Sequence, residues 1–176
     1  MIAQRVHNSN HLFFDNFWMV YNESFPKEEK RNFLQQQEIF LKQEYTLNIY
    51  IEENTLKGFL AYWTFPNFIF VEHLAIARAG QGQGLGKSIL QDFIKVQQIP
   101  VILEIEHPLD EISIRRLQFY QRLGFIENEY EHFQPPFNKN DQPLSLRILS
   151  LYERISEDLF NEFAEKQKHV VMNHIN

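Results

Sequence analysis

Three glycines at alternate positions mark the middle of the chain, within the sequence Gln-Gly-Gln-Gly-Leu-Gly-Lys-Ser at residues 81–88. An apolar run that predicts a strand, residues 68–77, precedes them, and apolar residues with helical spacing follow over residues 85–97. Glycine permits positive φ and a close approach of the backbone to a ligand, and a helix begins with unpaired N–H groups and the positive end of its dipole. The segment therefore predicts a β-loop-α unit whose loop binds phosphate.

Two common phosphate-binding patterns do not fit this spacing. A loop of the type Gly-x-x-x-x-Gly-Lys-Ser/Thr requires a glycine at the position that Gln81 occupies. The dinucleotide pattern Gly-x-Gly-x-x-Gly fails in every register, because its last glycine would have to stand at Leu85, Lys87 or Ile89. The spacing thus disfavours both of the usual nucleotide-binding loops.

The loop and its two flanks resemble the GCN5-related N-acetyltransferase (GNAT) family. Gln81, Gly84 and Gly86 occupy the fixed places of the family's Gln/Arg-x-x-Gly-x-Gly/Ala loop. Upstream, Leu-Ala-Ile-Ala-Arg at residues 74–78 is similar to the Leu-x-Val-x-Pro end of the fourth strand, with Arg in place of the usual Pro. Downstream, Phe-Tyr-Gln-Arg-Leu-Gly-Phe at residues 119–125 is similar to the family's Leu/Phe-Tyr-x-x-x-Gly-Phe. Three motifs in the expected order make the resemblance specific.

The resemblance implies an α/β fold, with a mixed, largely antiparallel twisted sheet, a central parallel β-α-β unit and flanking helices. It assigns residues 1–152 to an acetyltransferase domain and leaves residues 153–176 as a C-terminal helical extension. It also implies acetyl-CoA as co-substrate, with no metal. The residues expected to hold acetyl-CoA are Leu74, Ala75, Ile76, Gln81, Gly82, Gln83, Gly84, Leu85, Gly86, Lys87 and Ser88.

Composition favours one soluble domain and excludes several other classes. A chain of 176 residues with 44% hydrophobic residues has the size and make-up of a single globular domain. The net charge of −6 is opposite in sign to that of a typical nucleic-acid binder, so no nucleic-acid partner is expected. The N-terminus lacks the apolar core of a secretion signal and no run reaches membrane-spanning length, which predicts no membrane contact and a cytoplasmic location. The chain has no cysteine, so neither disulfides nor a thiol nucleophile are available.

Apolar periodicity predicts alternating helices and strands. The predicted helices cover residues 11–22, 26–43, 85–97 and 112–123, and the predicted strands cover residues 45–52, 57–65, 68–77, 101–105, 125–133 and 144–152. Near the C-terminus, Ser156 is expected to cap a further helix that carries Ile155, Leu159 and Phe163 at four-residue intervals. This apolar stripe is expected to pack on its own domain, with a homodimer contact as the alternative.

Acetyl transfer to an amine requires a base that removes a proton from the ammonium group and an acid that protonates the leaving thiolate. The resemblance places Tyr120 beside the cofactor sulfur and makes it the predicted acid. Glu72, just before the cofactor-binding end of the strand, is the predicted base, acting directly or through water. Its apolar neighbours Phe70, Val71 and Leu74 predict a raised pKa for its carboxyl.

Other groups near the strand ends keep the choice of base open. His73 is expected on the face of its strand opposite to Glu72, and Glu104 and Glu106 share a face on the next strand. The alternatives to Glu72 as base are His73, Glu106 or a water. The spacing of these residues matches no metal-ligand motif, and their negative charge favours a cationic acceptor.

The sequence thus predicts direct acetyl transfer from acetyl-CoA to a primary amine of a small molecule or peptide. A non-catalytic acyl-CoA-binding regulatory module of the same fold is the first alternative. A nucleotide-binding protein that uses Gly86, Lys87 and Ser88 as a degenerate phosphate loop is the second.

Overall fold

Eight strands and five α-helices are found in the part of the chain that the computed structural model describes, residues 1–138 and 140–173. The strands are β1 (Ile2–Val6), β2 (Tyr45–Glu52), β3 (Thr55–Thr64), β4 (Ile69–Ile76), β5 (Val101–Ile105), β6 (Phe125–Glu127), β7 (His132–Gln134) and β8 (Leu144–Leu151). The helices are α1 (Phe14–Ser24), α2 (Phe33–Ile39), α3 (Leu85–Ile94), α4 (Glu111–Gln121) and α5 (Glu157–Lys166). Short 3₁₀ turns occupy Lys27–Glu29 and Arg78–Gly80, and a π-helical turn at Gln167–Val171 follows α5.

The strands form one open sheet in the order β1-β2-β3-β4-β5-β8-β6, with β7 also paired to β8. Every neighbouring pair is antiparallel except β4 and β5, which are parallel and are connected through α3. This arrangement confirms the predicted mixed, largely antiparallel sheet with a central parallel β-α-β unit and flanking helices.

Helices cover both faces of the sheet, and each face has its own apolar cluster. On one face, here called the α1 face, α1, α2 and α5 pack on the sheet through buried residues such as Phe14, Phe17, Ile39 and Phe163. On the other face, the α3 face, α3 and α4 pack through buried residues such as Ile89, Leu90, Phe93 and Leu123.

The sheet opens between its two parallel strands. β4 and β5 pair only at Ile69 with Val101, Phe70 with Ile102 and Val71 with Leu103. Beyond Val71, β4 continues alongside β3, whereas β5 continues alongside β8. The two strands diverge from this point, and the cleft between them lies open in the middle of the sheet.

The predicted helix over residues 26–43 is wrong at both ends, since α2 covers only Phe33–Ile39. Lys27–Glu29 forms only a 3₁₀ turn, and α2 begins at Phe33 behind a capping box formed by Asn32 and Gln35. The chain is extended at Lys30 and Asn32, and between them Arg31 donates its backbone N–H to the Tyr21 hydroxyl at 2.8 Å. The extended chain places Arg31 in the interior, and a helix therefore does not continue through this segment.

The predicted strand over residues 125–133 is two strands in the structure. β6 and β7 pair with opposite ends of β8, and the chain between them bulges at Asn128. The Asn128 side chain is buried, donates to the Ser150 hydroxyl at 2.8 Å and accepts from the Ile155 N–H at 2.9 Å. These bonds join the sheet to the start of the C-terminal segment.

Candidate active site

The glycine loop joins β4 to α3 and leaves its backbone N–H groups unpaired. Gly82 and Gly84 have φ of +77° and +76°, and a Cβ atom added at either would meet nothing within 4 Å. No hydrogen bond among the described residues uses the N–H of residues 82–87, and the first helical bond of α3 runs from Ser88 N–H to the Gly84 carbonyl at 3.1 Å. Six adjacent donors at an open helix N-terminus form a site suited to phosphate.

Side chains of the loop brace its shape. Gln81 Nε2 donates to the Ile76 carbonyl at 3.1 Å, and Gln83 Nε2 donates to the Ala79 carbonyl at 2.9 Å. Gln81 therefore ties the loop back to the end of β4 instead of reaching outward. Lys87 is exposed on the first turn of α3, whereas Arg78 lies 3.4 Å from Glu23. Of these two exposed cations, Lys87 has no salt-bridge partner among the described residues.

The final residues of β4 present an unpaired edge to the cleft. Leu74 and Ile76 pack on the apolar cluster of the α3 face, and Ala75 is buried on the α1 face. Among the described residues, no strand pairs with the β5-facing edge of β4 after Val71. An extended ligand arm is able to bond to this edge as an added strand would.

A pocket of about 220 Å³ occupies the cleft. Its lining comes from the segment after α1, both diverging strands, α4, β7 and the loop after β7. The lining residues are Ser24, Phe25, Glu29, Glu72, His73, Leu74, Ala75, Glu104, Ile105, Glu106, Arg116, Tyr120, Gln134, Phe137 and Leu146. The predicted acid and base, Tyr120 and Glu72, thus line the same cleft.

A β-bulge places Glu72 and His73 on the same face, which corrects the prediction that they point to opposite faces. β3 pairs Ala61 with His73 and Tyr62 with Val71, so that β4 carries one extra residue at this point. Simple alternation of side chains fails across such a bulge. Both side chains lie on the α1 face, with His73 Nδ1 at 3.7 Å from Glu72 Oε2.

The Glu72 carboxylate is buried in an ion pair. Its Oε1 lies 2.7 Å from Arg31 Nη2, and its Oε2 accepts from Trp63 Nε1 at 2.9 Å. Burial by itself would raise the pKa of this carboxyl, but the charge of Arg31, together with His73, outweighs burial and holds the pKa well below its usual value. The expected raised pKa is therefore wrong, because a buried arginine, which no local sequence pattern indicates, faces this carboxyl.

His73 forms one hydrogen bond through its ring among the described residues. Its Nε2 lies 2.9 Å from the Glu29 carbonyl oxygen, which can only accept, so Nε2 carries a hydrogen. The ring also packs edge-on against Tyr21 and Phe25. His73 thus fixes the segment after α1 against the bulge.

Glu29 lines the cleft and was missed by the sequence interpretation. Burial, and next the negative charge of Glu106, raise the pKa of its carboxyl. Its side chain forms no salt bridge among the described residues, unlike those of Glu72, Glu104 and Glu106. The only sequence signal for it was its place in a charged stretch after Pro26, which is also typical of a surface turn.

Glu104 and Glu106 share the α1 face of β5, as predicted, and both line the cleft. Glu106 forms a salt bridge with Arg116 of α4. Glu104 Oε1 accepts from His132 Nε2 and from Gln167 Nε2, the latter at 2.7 Å. Four carboxylates therefore surround the cleft, and among the described residues that line it Arg116 is the only Lys or Arg.

Tyr120 reaches the cleft from α4. Burial raises the pKa of its hydroxyl to about 12, although Arg116 lowers it in part, so Tyr120 stays protonated near neutral pH. Its hydroxyl forms no hydrogen bond within the described residues, and its ring packs against Phe119 and Phe125. Ser113, at the start of α4, is occupied in a capping box with Asp110.

A larger groove of about 630 Å³ lies elsewhere, between α1, the β2–β3 turn and the end of β4. It is lined mainly by apolar side chains, including Leu12, Met19 and Leu56, and contains none of the predicted site residues. The cleft is smaller but combines the carboxylates, Tyr120 and the free strand edge.

Among the described residues, no group of three or more His, Cys, Asp or Glu side chains is placed to hold a metal ion. The described helices also include none long and apolar enough to cross a membrane.

Comparison with known proteins shows similarity to one enzyme family. Residues 42–127 match the family model of the acetyltransferase (GNAT) domain. A Bacillus subtilis protein, YjbC, whose name gives acetyltransferase as a proposed activity, is 34% identical over 113 residues. That match covers 62% of this chain and 56% of YjbC, so the chain corresponds to little more than half of that relative's length.

Solved structures agree with the fold. A Bacteroides thetaiotaomicron protein named as a proposed GNAT-family acetyltransferase superposes with a TM-score of 0.89 at 29% identity, over 98% of each chain. A Bacillus subtilis acetyltransferase in complex with CoA superposes with a TM-score of 0.58 at 16% identity, over 85% of this chain and 96% of that one. The second likeness concerns the fold alone.

Proposed function

We propose that this chain, whose residues 42–127 match the family model of the GNAT acetyltransferase domain, transfers the acetyl group of acetyl-CoA to a primary amine of a small molecule or peptide. The observation that carries the proposal is the opening between β4 and β5. It connects a loop with six unpaired N–H groups to a pocket that carries four carboxylates and a protonated tyrosine. The glycine loop, the free edge of β4 and the pocket lie along one path. They suit, in that order, phosphate binding, an extended ligand arm and proton transfer.

In the proposed reaction, the pyrophosphate binds the N–H groups of the glycine loop and the pantetheine arm lies along the free edge of β4. The amine loses a proton to a base, its lone pair forms the new C–N bond at the thioester carbonyl carbon, and the C–S bond breaks. The electron pair of that bond stays on sulfur, and the thiolate takes a proton from the Tyr120 hydroxyl. The nitrogen is cationic after the attack, and its surplus proton passes to the Tyr120 oxygen, which restores the hydroxyl. Tyr120 suits this role because its raised pKa keeps the proton available.

We assign Glu72 and Glu29 different roles in proton removal. The lowered pKa of Glu72 makes it a weak proton acceptor when it acts directly, so its part is to supply fixed negative charge near the attacking nitrogen or to act through a water. Glu29 has a raised pKa and no salt-bridge partner among the described residues, which matches the demands on a base. Glu29 is therefore the base that we favour.

The test is a panel of primary amines incubated with acetyl-CoA, with release of free CoA thiol and the mass of the product as readouts. Spermidine, tyramine and a dipeptide with a free α-amine represent cationic acceptors, and N-acetylglutamate represents an acidic compound without an amine. Acetylated amine products support the proposal. A thermal shift with acetyl-CoA but no product from any amine would favour the non-catalytic acyl-CoA-binding module.

A further inference from the structure

The segment of the chain after β8 contacts residues that line the cleft. Here the C-terminal segment means α5 together with the π-helical turn Gln167–Val171. Gln167 is 1% exposed, and its Nε2 donates to Glu104 Oε1 at 2.7 Å. Because Glu104 lines the cleft on β5, one side chain of this segment directly holds a cleft carboxylate.

The same turn also supports the carboxylate on the opposite strand. The carbonyl of Val171 accepts from Arg31 Nη2 at 3.0 Å, and that same nitrogen lies 2.7 Å from Glu72 Oε1. Arg31 is fully buried between the rings of Trp63 and Phe137. One turn of chain thus fixes Glu104 directly and Glu72 through Arg31, on the two strands that diverge to form the cleft.

The contacts of Gln167 and Val171 are made from a π-helical turn, which is wider than a turn of α-helix. The N–H of Met172 bonds the Gln167 carbonyl at 2.8 Å, a bond that spans five residues. Lys42 Nζ bonds the carbonyls of Val170 and Asn173, the latter at 2.9 Å. Single π-helical turns occur frequently at functional sites, because they redirect side chains and free carbonyls.

Packing alone does not require these polar groups. α5 is anchored to the core by Phe163, whose ring contacts those of Phe68, Phe70 and His132. Burying an amide and two carboxylates is costly unless they are bonded, and apolar side chains at all of these positions would pack without that cost. The polar contacts therefore serve the cleft.

We propose that the C-terminal segment is a working part of the active site, and that Gln167 is a positioning residue that holds Glu104 to bind the ammonium group of the acceptor. Glu104 Oε1 is bonded by Gln167 and His132, whereas its Oε2 forms no hydrogen bond among the described residues. Oε2 is the atom that contacts the acceptor's ammonium group before proton transfer. This inference rests on the proposed acetyl transfer and adds a binding role for Glu104.

The test compares Gln167→Met with Lys168→Met, an exposed neighbour in the same turn. Steady-state kinetics use the most active amine of the panel and acetyl-CoA, at a temperature well below the melting temperature. For Gln167→Met, kcat/KM for the amine is expected to fall about tenfold, the scale of one lost hydrogen bond to a charged group. KM for acetyl-CoA and all parameters of Lys168→Met are expected to stay unchanged.

A double-mutant cycle with Glu104→Gln separates positioning from packing. If Gln167 acts through Glu104, its substitution has little further effect on kcat/KM once Glu104 is Gln. Wild-type kinetics in Gln167→Met would overturn the inference, and so would an equal loss in both backgrounds. If Glu104→Gln has no measurable activity, the kinetics of Gln167→Met alone decide the outcome.

The contact itself is measured without turnover. The same four proteins are unfolded in urea, and a coupling between Gln167 and Glu104 in the free energy of unfolding is expected. Its absence overturns the positioning role even if no acceptor is found. A wild-type protein inactive towards every amine would instead refute the proposed acetyl transfer, so the two failures are distinguishable.

Discussion

At the scale of single residues, two glutamates of one cleft have pKa shifts of opposite sign. Burial acts on both, but Glu72 faces the guanidinium of Arg31 whereas Glu29 faces Glu106. An opposite charge favours the ionised carboxylate and a like charge disfavours it. The residue type therefore does not distinguish the two glutamates as candidate bases. The charge that each glutamate faces does distinguish them.

Glu29→Gln is expected to remove the acidic limb of the pH–rate profile and to lower kcat. In the wild type, the rate should fall as pH drops through the raised pKa of Glu29, because a protonated carboxyl cannot accept the proton of the amine. Glu28→Gln, an exposed neighbour, is the matched control and should keep the wild-type profile. If Glu72→Gln removes the limb and Glu29→Gln does not, the base is Glu72.

Tyr120→Phe is expected to lower kcat about a hundredfold, the scale of a general acid, with KM for acetyl-CoA nearly unchanged. The hydroxyl matters when charge develops on sulfur, whereas the ring contacts with Phe119 and Phe125 remain in the variant. Tyr152→Phe, at a largely exposed tyrosine, serves as control. Wild-type turnover in Tyr120→Phe would leave this tyrosine with packing alone.

At the scale of elements, the β-loop-α unit could be predicted and the bulge could not. The loop motif is contiguous, so its glycines, the preceding strand and the following helix all stand in one stretch of sequence. The bulge at Glu72 depends on how β3 pairs with β4, which no local pattern reports. The extended stretch at Arg31 likewise depends on partners far away in the chain, Glu72 and Val171.

Gly84→Asp is expected to abolish the rise in melting temperature caused by acetyl-CoA, and Gly84→Asn to retain part of it. Both side chains tolerate the left-handed backbone that Gly84 adopts, and both enter open space. They differ in charge, and only the aspartate repels a pyrophosphate. If both variants kept the same rise in melting temperature, phosphate would not bind at this loop. If both variants lost the rise, the added side chains would exclude the ligand sterically.

At the scale of the whole molecule, the buried ion pair of Arg31 and Glu72 connects three parts of the chain. Arg31 precedes α2, Glu72 lies in β4, and Val171 belongs to the turn after α5. The prediction that the apolar stripe of the C-terminal helix packs on its own domain is confirmed by the buried Phe163. The homodimer contact stays a prediction.

Arg31→Met is expected to destabilise the protein by about 3–5 kcal/mol, because it leaves Glu72 buried without its counter-ion. Adding Glu72→Gln should restore part of that loss. The lowered pKa of Glu72 means that its contribution is complete above its unfolded value of about 4.5 and is lost as pH falls towards the folded pKa. Urea unfolding of the wild type and both variants from neutral to acidic pH measures these effects. A single variant as stable as the wild type would contradict the account.

The divergence of β4 and β5 also has a consequence for motion. A sheet that separates in its middle has amides on the free edge of β4 that no neighbouring strand protects from solvent. Hydrogen exchange at those amides of residues 72–76 that point away from β3 should therefore be faster than at the amides of residues 69–71 that bond to β5, and a ligand arm bonded along that edge should slow it. Loading of the co-substrate would then stiffen the open part of the sheet, beyond the three residue pairs that join β4 to β5 in its absence.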